Sequence, residues 1–250
     1  MGCADSTHTM PSMMMQKRGS IGGPGMKMTL EYFDFCYGRA DSIRFCLHKA
    51  GVKYDYIGHS NEAWGQMKAN KPAHREFNFM PIWTVDGKEY GQSMALLRGI
   101  GTKHGMYFPQ DPFTSYYCDV ILDCYVDVLG ACTGVVLPVL MGKGGKADQE
   151  DIDKLKEAWK KTCVPLFKLL EANMKAHNGK YAAGNRLTIA DCIMVAGMAN
   201  IWCNEVSPFK AAFEDLFNSG DVNKGLIDTY FATLRSEFGD RLNTRPKLPA

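Results

Sequence analysis

The sequence predicts two joined domains of different class: an α/β domain over residues 28–107 and an all-helical domain over residues 113–250, behind a tail at 1–27. Three observations carry the prediction. From residue 29, short β-prone runs alternate with segments of helical period. The stretch MYFPQDPF, with Pro109 and Pro112, breaks that alternation and reads as a linker, and every periodic segment after it is helical. Residues 1–27, rich in Met, Ser, Gly and Pro, show no period at all.

Taken in order, TLEYFD reads as a strand and RADSIRFCLHKAG as an amphipathic helix stopped by Gly51. KYDYIG is a second strand, and NEAWGQMKANK a short helix or an irregular link. PIWTVDGKEYG reads as a hairpin turning on Asp86-Gly87, and QSMALLRGIGTKHG as a third helix. The order β-α-β-α-β-β-α is that of a thioredoxin-like domain. Beyond the linker a long helix is predicted over 113–141. The loop MGKGGKAD follows, then helices over 149–177 and 188–203 and shorter ones through Leu242. Thr188 and Asp191 in NRLTIADC have capping-box spacing, with Leu187 placed to act as a hydrophobic staple.

Composition narrows the function classes. In 250 residues, 46% are hydrophobic and 22% charged, which is globular rather than disordered. A net charge of +2 without a basic stripe argues against nucleic-acid binding. The nine cysteines are odd in number, form no C-x-x-C, and several lie inside helical patterns. This predicts a reducing compartment, with neither a disulfide framework nor a zinc cluster. No uncharged apolar run reaches membrane-spanning length, since the nearest one carries Asp123 and Asp127. The start, MGCADS, matches the N-myristoylation pattern at Gly2, and Cys3 beside it offers a second acylation point. Two chains would anchor the protein stably to a membrane where one would not. A chance match, or a true start at Met26 or Met28, remains the alternative.

Several residues stand out by chemistry. LEYFDFCYGRADSIR crowds Tyr32, Cys36 and Arg39 into one strand-to-helix turn. Pro81 enters a strand, either as an edge proline or as a cis turn that exposes the Met80 backbone to an extended ligand. Gln92 and Ser93 open a helix, where unpaired N–H groups favour a carboxylate, although plain capping explains them equally well. Trp64 and Lys68, four apart, share a face if their segment is helical. Asp119, Asp123 and Asp127 recur every four residues, forming either a solvated face or one that meets a cation in a cleft or subunit interface.

Together the motifs L-x-Y-F then G-R-A, W-x-x-x-K, M-P-I, V-D-G, Q-S, the acidic stripe and T-x-x-D resemble a cytosolic glutathione transferase of sigma-like class, the class that includes prostaglandin D synthases of haematopoietic type. The likeness runs from about Met28 to Pro246. The resemblance implies that Tyr32 donates a hydrogen bond to the glutathione sulfur and that Arg39 supports it. It implies that Trp64 and Lys68 meet the glycine end, that the Met80-Pro81 backbone pairs with the cysteinyl part, and that Gln92 and Ser93 hold the γ-glutamyl carboxylate. Asp127 would reach the γ-glutamyl amino group across a homodimer interface. An apolar electrophile would lie between the domains, near Tyr32 and the 130–141 helix. Glutathione would be the co-substrate with no metal required, and the setting cytoplasmic detoxification or prostaglandin isomerisation.

Three departures accompany the likeness: one extra residue in the loop at Cys36-Tyr37, the added tail, and the lack of a usual proline in FGDRLNTRPKLPA. They keep two alternatives open. One is a thiol transferase using Cys36, ahead of a helix N-terminus where thiol pKa values fall. The other is a catalytically weak, membrane-tethered scaffold or ligand binder.

Overall fold

The computed structural model describes residues 25–70, 78–246 and 248, so Gly2 and Cys3 lie outside the described residues. Strand β1 (Met28–Phe33) is followed by a 3-10 turn at Gly38–Ala40, helix α1 (Asp41–Lys49), β2 (Asp55–His59), α2 (Asn61–Ala69), β3 (Ile82–Val85), β4 (Lys88–Tyr90) and α3 (Ser93–Lys103). The sheet order is β2-β1-β3-β4, with β1 parallel to β2 and the other pairs antiparallel. This order puts β1 in the interior with a ladder on each side.

The helical half comprises α4 (Pro112–Gly142), α5 (Gln149–Ala158), α6 (Val164–His177), α7 (Ile189–Gly197), α8 (Lys210–Phe217) and α9 (Lys224–Thr244). The segment expected as one helix over 149–177 is divided by a π turn at Trp159–Cys163. Pro165, in the first turn of α6, has no N–H to give to the Lys161 carbonyl, so the regular ladder cannot run through. A second π turn, Met198–Trp202, extends α7 through most of the expected 188–203 span. The closing elements are not all short, because α9 runs for 21 residues. Contrary to the sequence expectation, α4 is long and apolar enough to cross a membrane by length and composition. Here its inner face, including Ile121, Tyr125 and Leu129, is buried in the core.

One hydrophobic core spans both halves. In the helical half it is aromatic: the Phe167 ring lies 4.7 Å from Trp202, and Trp159 lies 4.8 Å from Phe217. At the junction, α1 brings Phe45 within 5.4 Å of Phe238 on α9. Gly101 on α3 allows a close approach, since a Cβ there would sit 2.3 Å from the Ile189 side chain at the start of α7. The Ile189 N–H donates to the Met106 carbonyl at 2.9 Å, tying that helix start to the α/β half. The capping box is formed as expected: Asp191, fully buried, accepts from the Thr188 N–H at 2.8 Å. It also accepts from the Ala182 N–H and from the Tyr230 hydroxyl, each at 2.9 Å.

Candidate active site

The end of β1 is where the α/β half gathers its chemistry. β1 and β3 pair as far as Glu31 and Ile82, so the next step of the antiparallel register sets Tyr32 opposite Pro81. The Met80-Pro81 peptide is cis, the second of the two readings of that proline. β2 ends alongside β1, with Phe33 opposite His59, and Ser60 caps α2 immediately afterwards, accepting from the Ala63 N–H at 3.1 Å. The chain leaving β4 at Tyr90, opposite Trp83, turns back towards the same end and opens α3 at Ser93. The topology thus brings Tyr32, Met80-Pro81, α2 and the start of α3 to one edge.

The Tyr32 hydroxyl accepts a hydrogen bond from the Arg39 backbone N–H at 3.0 Å. That bond uses a lone pair and leaves the hydroxyl proton available to a ligand. Burial pushes the phenol up to about 12, with the Cys36 thiol adding to the rise, while the Arg39 N–H and the nearby guanidiniums pull it down. Tyr32 is therefore a neutral donor at ordinary pH and not a base. Gly38 makes the arrangement fit: its φ is +37°, and a Cβ there would stand 2.4 Å from the Tyr32 oxygen. Arg39 contributes this backbone N–H, while its side chain is exposed.

The other expected residues divide. α2 is a regular helix, with Trp64 buried and the Lys68 amine 6.0 Å from its ring centre. Gln92 precedes α3 with φ +67°, unusual for a non-glycine residue, and its side chain makes no cap bond. Ser93, buried, occupies the first helical position, so the simple capping reading does not hold here. The acidic stripe is not uniform. Asp119 accepts from Arg98 Nε at 2.7 Å and from the Tyr107 hydroxyl at 2.8 Å, and Asp123 is 3.5 Å from the same guanidinium. Asp127 is exposed and meets no cation in this chain among the described residues.

Cys36 is half-buried, and burial raises its thiol to about 11, with Arg44 opposing and Asp34 adding. The lowered pKa expected from a position ahead of a helix is not found, because burial outweighs the pull of Arg44. The extra loop residue has a structural partner instead. The Tyr37 hydroxyl donates to the Pro246 carbonyl at 2.7 Å, and the Arg245 guanidinium lies 4.0 Å from its ring centre. Arg245 also donates to buried Asp41 at 2.6 Å, which in turn accepts from Asn200 at 2.9 Å. The chain after α9 therefore clasps the β1–α1 turn. Sequence reasoning missed Gly38, Asp41 and Arg245 as parts of the site. A residue of opposite charge more than two hundred positions away leaves no periodic trace.

Comparison with known proteins agrees with this geometry. The profile described as "Glutathione S-transferase, C-terminal domain" matches residues 138–219. The Caenorhabditis elegans protein "Probable glutathione S-transferase 6" is 32% identical over 157 residues, 62% of this chain and 71% of its own length. "Glutathione S-transferase 3" of the same organism is 24% identical, covering 88% of this chain and 92% of that one. The crystal structure of the glutathione S-transferase from Ascaris lumbricoides superposes with a TM-score of 0.69 at 24% identity, covering 90% of this chain and 100% of that chain. A buried tyrosine at the end of β1, beside a cis-proline strand on a thioredoxin-like sheet joined to a helical domain, defines the class. The chain belongs to the glutathione S-transferase family of enzymes.

Proposed function

We propose that this protein is a glutathione transferase in which Tyr32 stabilises the glutathione thiolate for attack on apolar electrophiles. The observation that carries the reading is the Tyr32 hydroxyl, whose oxygen is occupied by the Arg39 N–H and whose proton is left to donate. A donor aimed at sulfur favours thiolate over thiol. The thiol proton leaves to solvent, the sulfur pair forms the new C–S bond, and the electrophile's leaving group departs with its own electron pair. The phenol pKa near 12 supports a donor that keeps its proton throughout.

In the same reading, the 28–107 and 113–250 segments act as two domains. Trp64 and Lys68 hold the glycine end, the Met80-Pro81 backbone the cysteinyl part, and Gln92 with Ser93 the γ-glutamyl carboxylate. The uncapped start of α3 supports the last assignment. A homodimer would give exposed Asp127 its γ-glutamyl partner across the interface, and exposed Phe113 and Tyr116 at the start of α4 support such a face. Sigma-like class, prostaglandin isomerisation, the cytoplasmic setting and acylation at Gly2 and Cys3 rest on the sequence alone.

The test is an assay with glutathione and an aromatic halide on the wild-type protein, Tyr32→Phe and Cys36→Ser. Tyr32→Phe is expected to lose about 10²-fold in kcat, the loss typical of one preorganised donor, while Cys36→Ser keeps activity. The reverse pattern would transfer the chemistry to Cys36, and inactivity of all three would leave only a ligand binder.

A further inference from the structure

Two of the three departures from the family pattern meet in the fold: the extra residue at Cys36-Tyr37 and the altered end FGDRLNTRPKLPA, which holds Arg245 and Pro246. The Arg245 side chain is 9% exposed and grips the β1–α1 turn from both flanks. On one flank its guanidinium carbon stands 4.0 Å from the Tyr37 ring centre, a contact that gains strength where water is excluded. On the other it donates to the fully buried Asp41 carboxylate at 2.6 Å. It also donates to the Asn200 side chain, on the π turn after α7, and Asn200 in turn donates to Asp41 at 2.9 Å. The guanidinium is thus held at three points.

Between those flanks lie only Gly38, Arg39 and Ala40. The Ala40 N–H donates to the Tyr37 carbonyl at 3.2 Å and the Asp41 N–H to the Gly38 carbonyl, so the turn is closed on itself. Gly38 has no side chain to pin it, and the polar side chains that tie the turn to the rest of the molecule are those of Tyr37 and Asp41. The Arg39 N–H, in the middle, is the one that meets the Tyr32 hydroxyl, at 3.0 Å. An N–H given to a phenol oxygen polarises its O–H and strengthens the bond it can donate onward. A small displacement of such a donor is costly to the step it serves.

We propose that Arg245 is a positioning residue for the transferase reaction: through Tyr37 and Asp41 it fixes the Arg39 N–H against the Tyr32 hydroxyl, and so sets how strongly that hydroxyl stabilises the glutathione thiolate. This role rests on the reading of Tyr32 as the thiolate donor. It gives the added residue of the loop a purpose, since Tyr37 carries the grip of the far end of the chain to the residue beside Gly38.

The experiment titrates the thiol of bound glutathione by thiolate ultraviolet absorbance, alongside steady-state kinetics with the aromatic halide. The full chain is compared with Arg245→Gln, Tyr37→Phe, Tyr32→Phe and the double variant Tyr32→Phe with Arg245→Gln. Asp41 keeps Arg241 and Asn200 as partners when Arg245 is replaced. Arg245→Gln is expected to raise the thiol's ionisation by about half a pH unit and to lower kcat at neutral pH about threefold, with KM for glutathione within about twofold. Where the pH is high enough to ionise the thiol in both proteins, the kcat deficit should close, which a loss of folded protein would not do. Tyr37→Phe deletes one hydroxyl and serves if Arg245→Gln does not fold; it should shift the ionisation in the same direction. In the Tyr32→Phe background the Arg245→Gln shift should vanish, because residues that act as one unit are not additive. Arg245 loses this role if neither Arg245→Gln nor Tyr37→Phe moves the ionisation, or if the shift persists in the double variant. If Tyr32→Phe leaves the ionisation in place, the Tyr32 reading falls as well. If Tyr32→Phe moves it and the other two single variants do not, Tyr32 stands and only the role of Arg245 is overturned.

Discussion

The buried side chains of Asp191 and Tyr32 both accept from backbone N–H groups, and they end in opposite roles. Asp191, at the start of α7, accepts from two backbone N–H groups and two hydroxyls, so its capacity is spent within the fold. Tyr32, at the end of β1, accepts one N–H and keeps a proton uncommitted. The first arrangement stabilises, and the second waits for a ligand. The same contrast separates the helix starts. Ser60, Asp111, Asp148 and Asn223 cap α2, α4, α5 and α9 with their own side chains, whereas α3 starts uncapped at Gln92, as α1, α6 and α8 also do at Ala40, Cys163 and Phe209.

The contrast can be broken at several points. Removing the saturated group should cost most. Asp191→Ala orphans the buried donors of Ala182, Thr188 and Tyr230, and urea unfolding should show a loss of about 3–5 kcal/mol. The activity of the folded fraction should be unaffected, and a drop there would sink the division of roles. Gly38→Ala acts on both sides of the comparison. It strains a left-handed residue and drives a methyl into the Tyr32 hydroxyl, so a stability loss of about 1–2 kcal/mol should accompany a fall in kcat. A kcat that survives would mean the hydroxyl position does not matter.

A smaller effect is expected at the uncapped helix. Ser93→Ala should raise KM for glutathione about tenfold, roughly 1.4 kcal/mol of ground-state binding, with kcat nearly unchanged. An unaltered KM would return Ser93 to a packing role. The smallest expected effect is on the pH profile. With Tyr32 near 12 and Cys36 near 11, neither group ionises below about pH 10, so the rising limb of activity should belong to the bound glutathione thiol. Tyr32→Phe should therefore move that limb upward in pH without deleting it. The raised phenol has a linked effect on folding. The unfolded chain loses the Tyr32 proton near 10 while the folded chain holds it to about 12, so this contribution to stability is complete below pH 10 and falls away above it.

Much of this was legible in the chain because it is local. Alternating β and α periods announce the order of elements along the chain, TIADC spells the Thr188–Asp191 box, and L-x-Y-F with G-R-A marks the Tyr32 turn. Local signals also misled. The continuous helical pattern over 149–177 hides a π turn forced by Pro165, and evenly spaced Asp119, Asp123 and Asp127 divide between the Arg98 cluster and solvent. Periodicity states which face a residue shares but not what lies opposite it.

By itself, then, the sequence determined the two-domain order, the strand and helix identities and the presence of a tyrosine at the end of the central strand. Only the tertiary structure decided that the Arg39 backbone N–H meets the Tyr32 hydroxyl, that Cys36 is kept neutral by burial, and that Tyr37, Asp41 and Arg245 fasten the turn to the far end of the chain. The reason is physical. Propensity and capping act within a few residues, whereas desolvation and ion pairing depend on whatever the completed fold brings alongside.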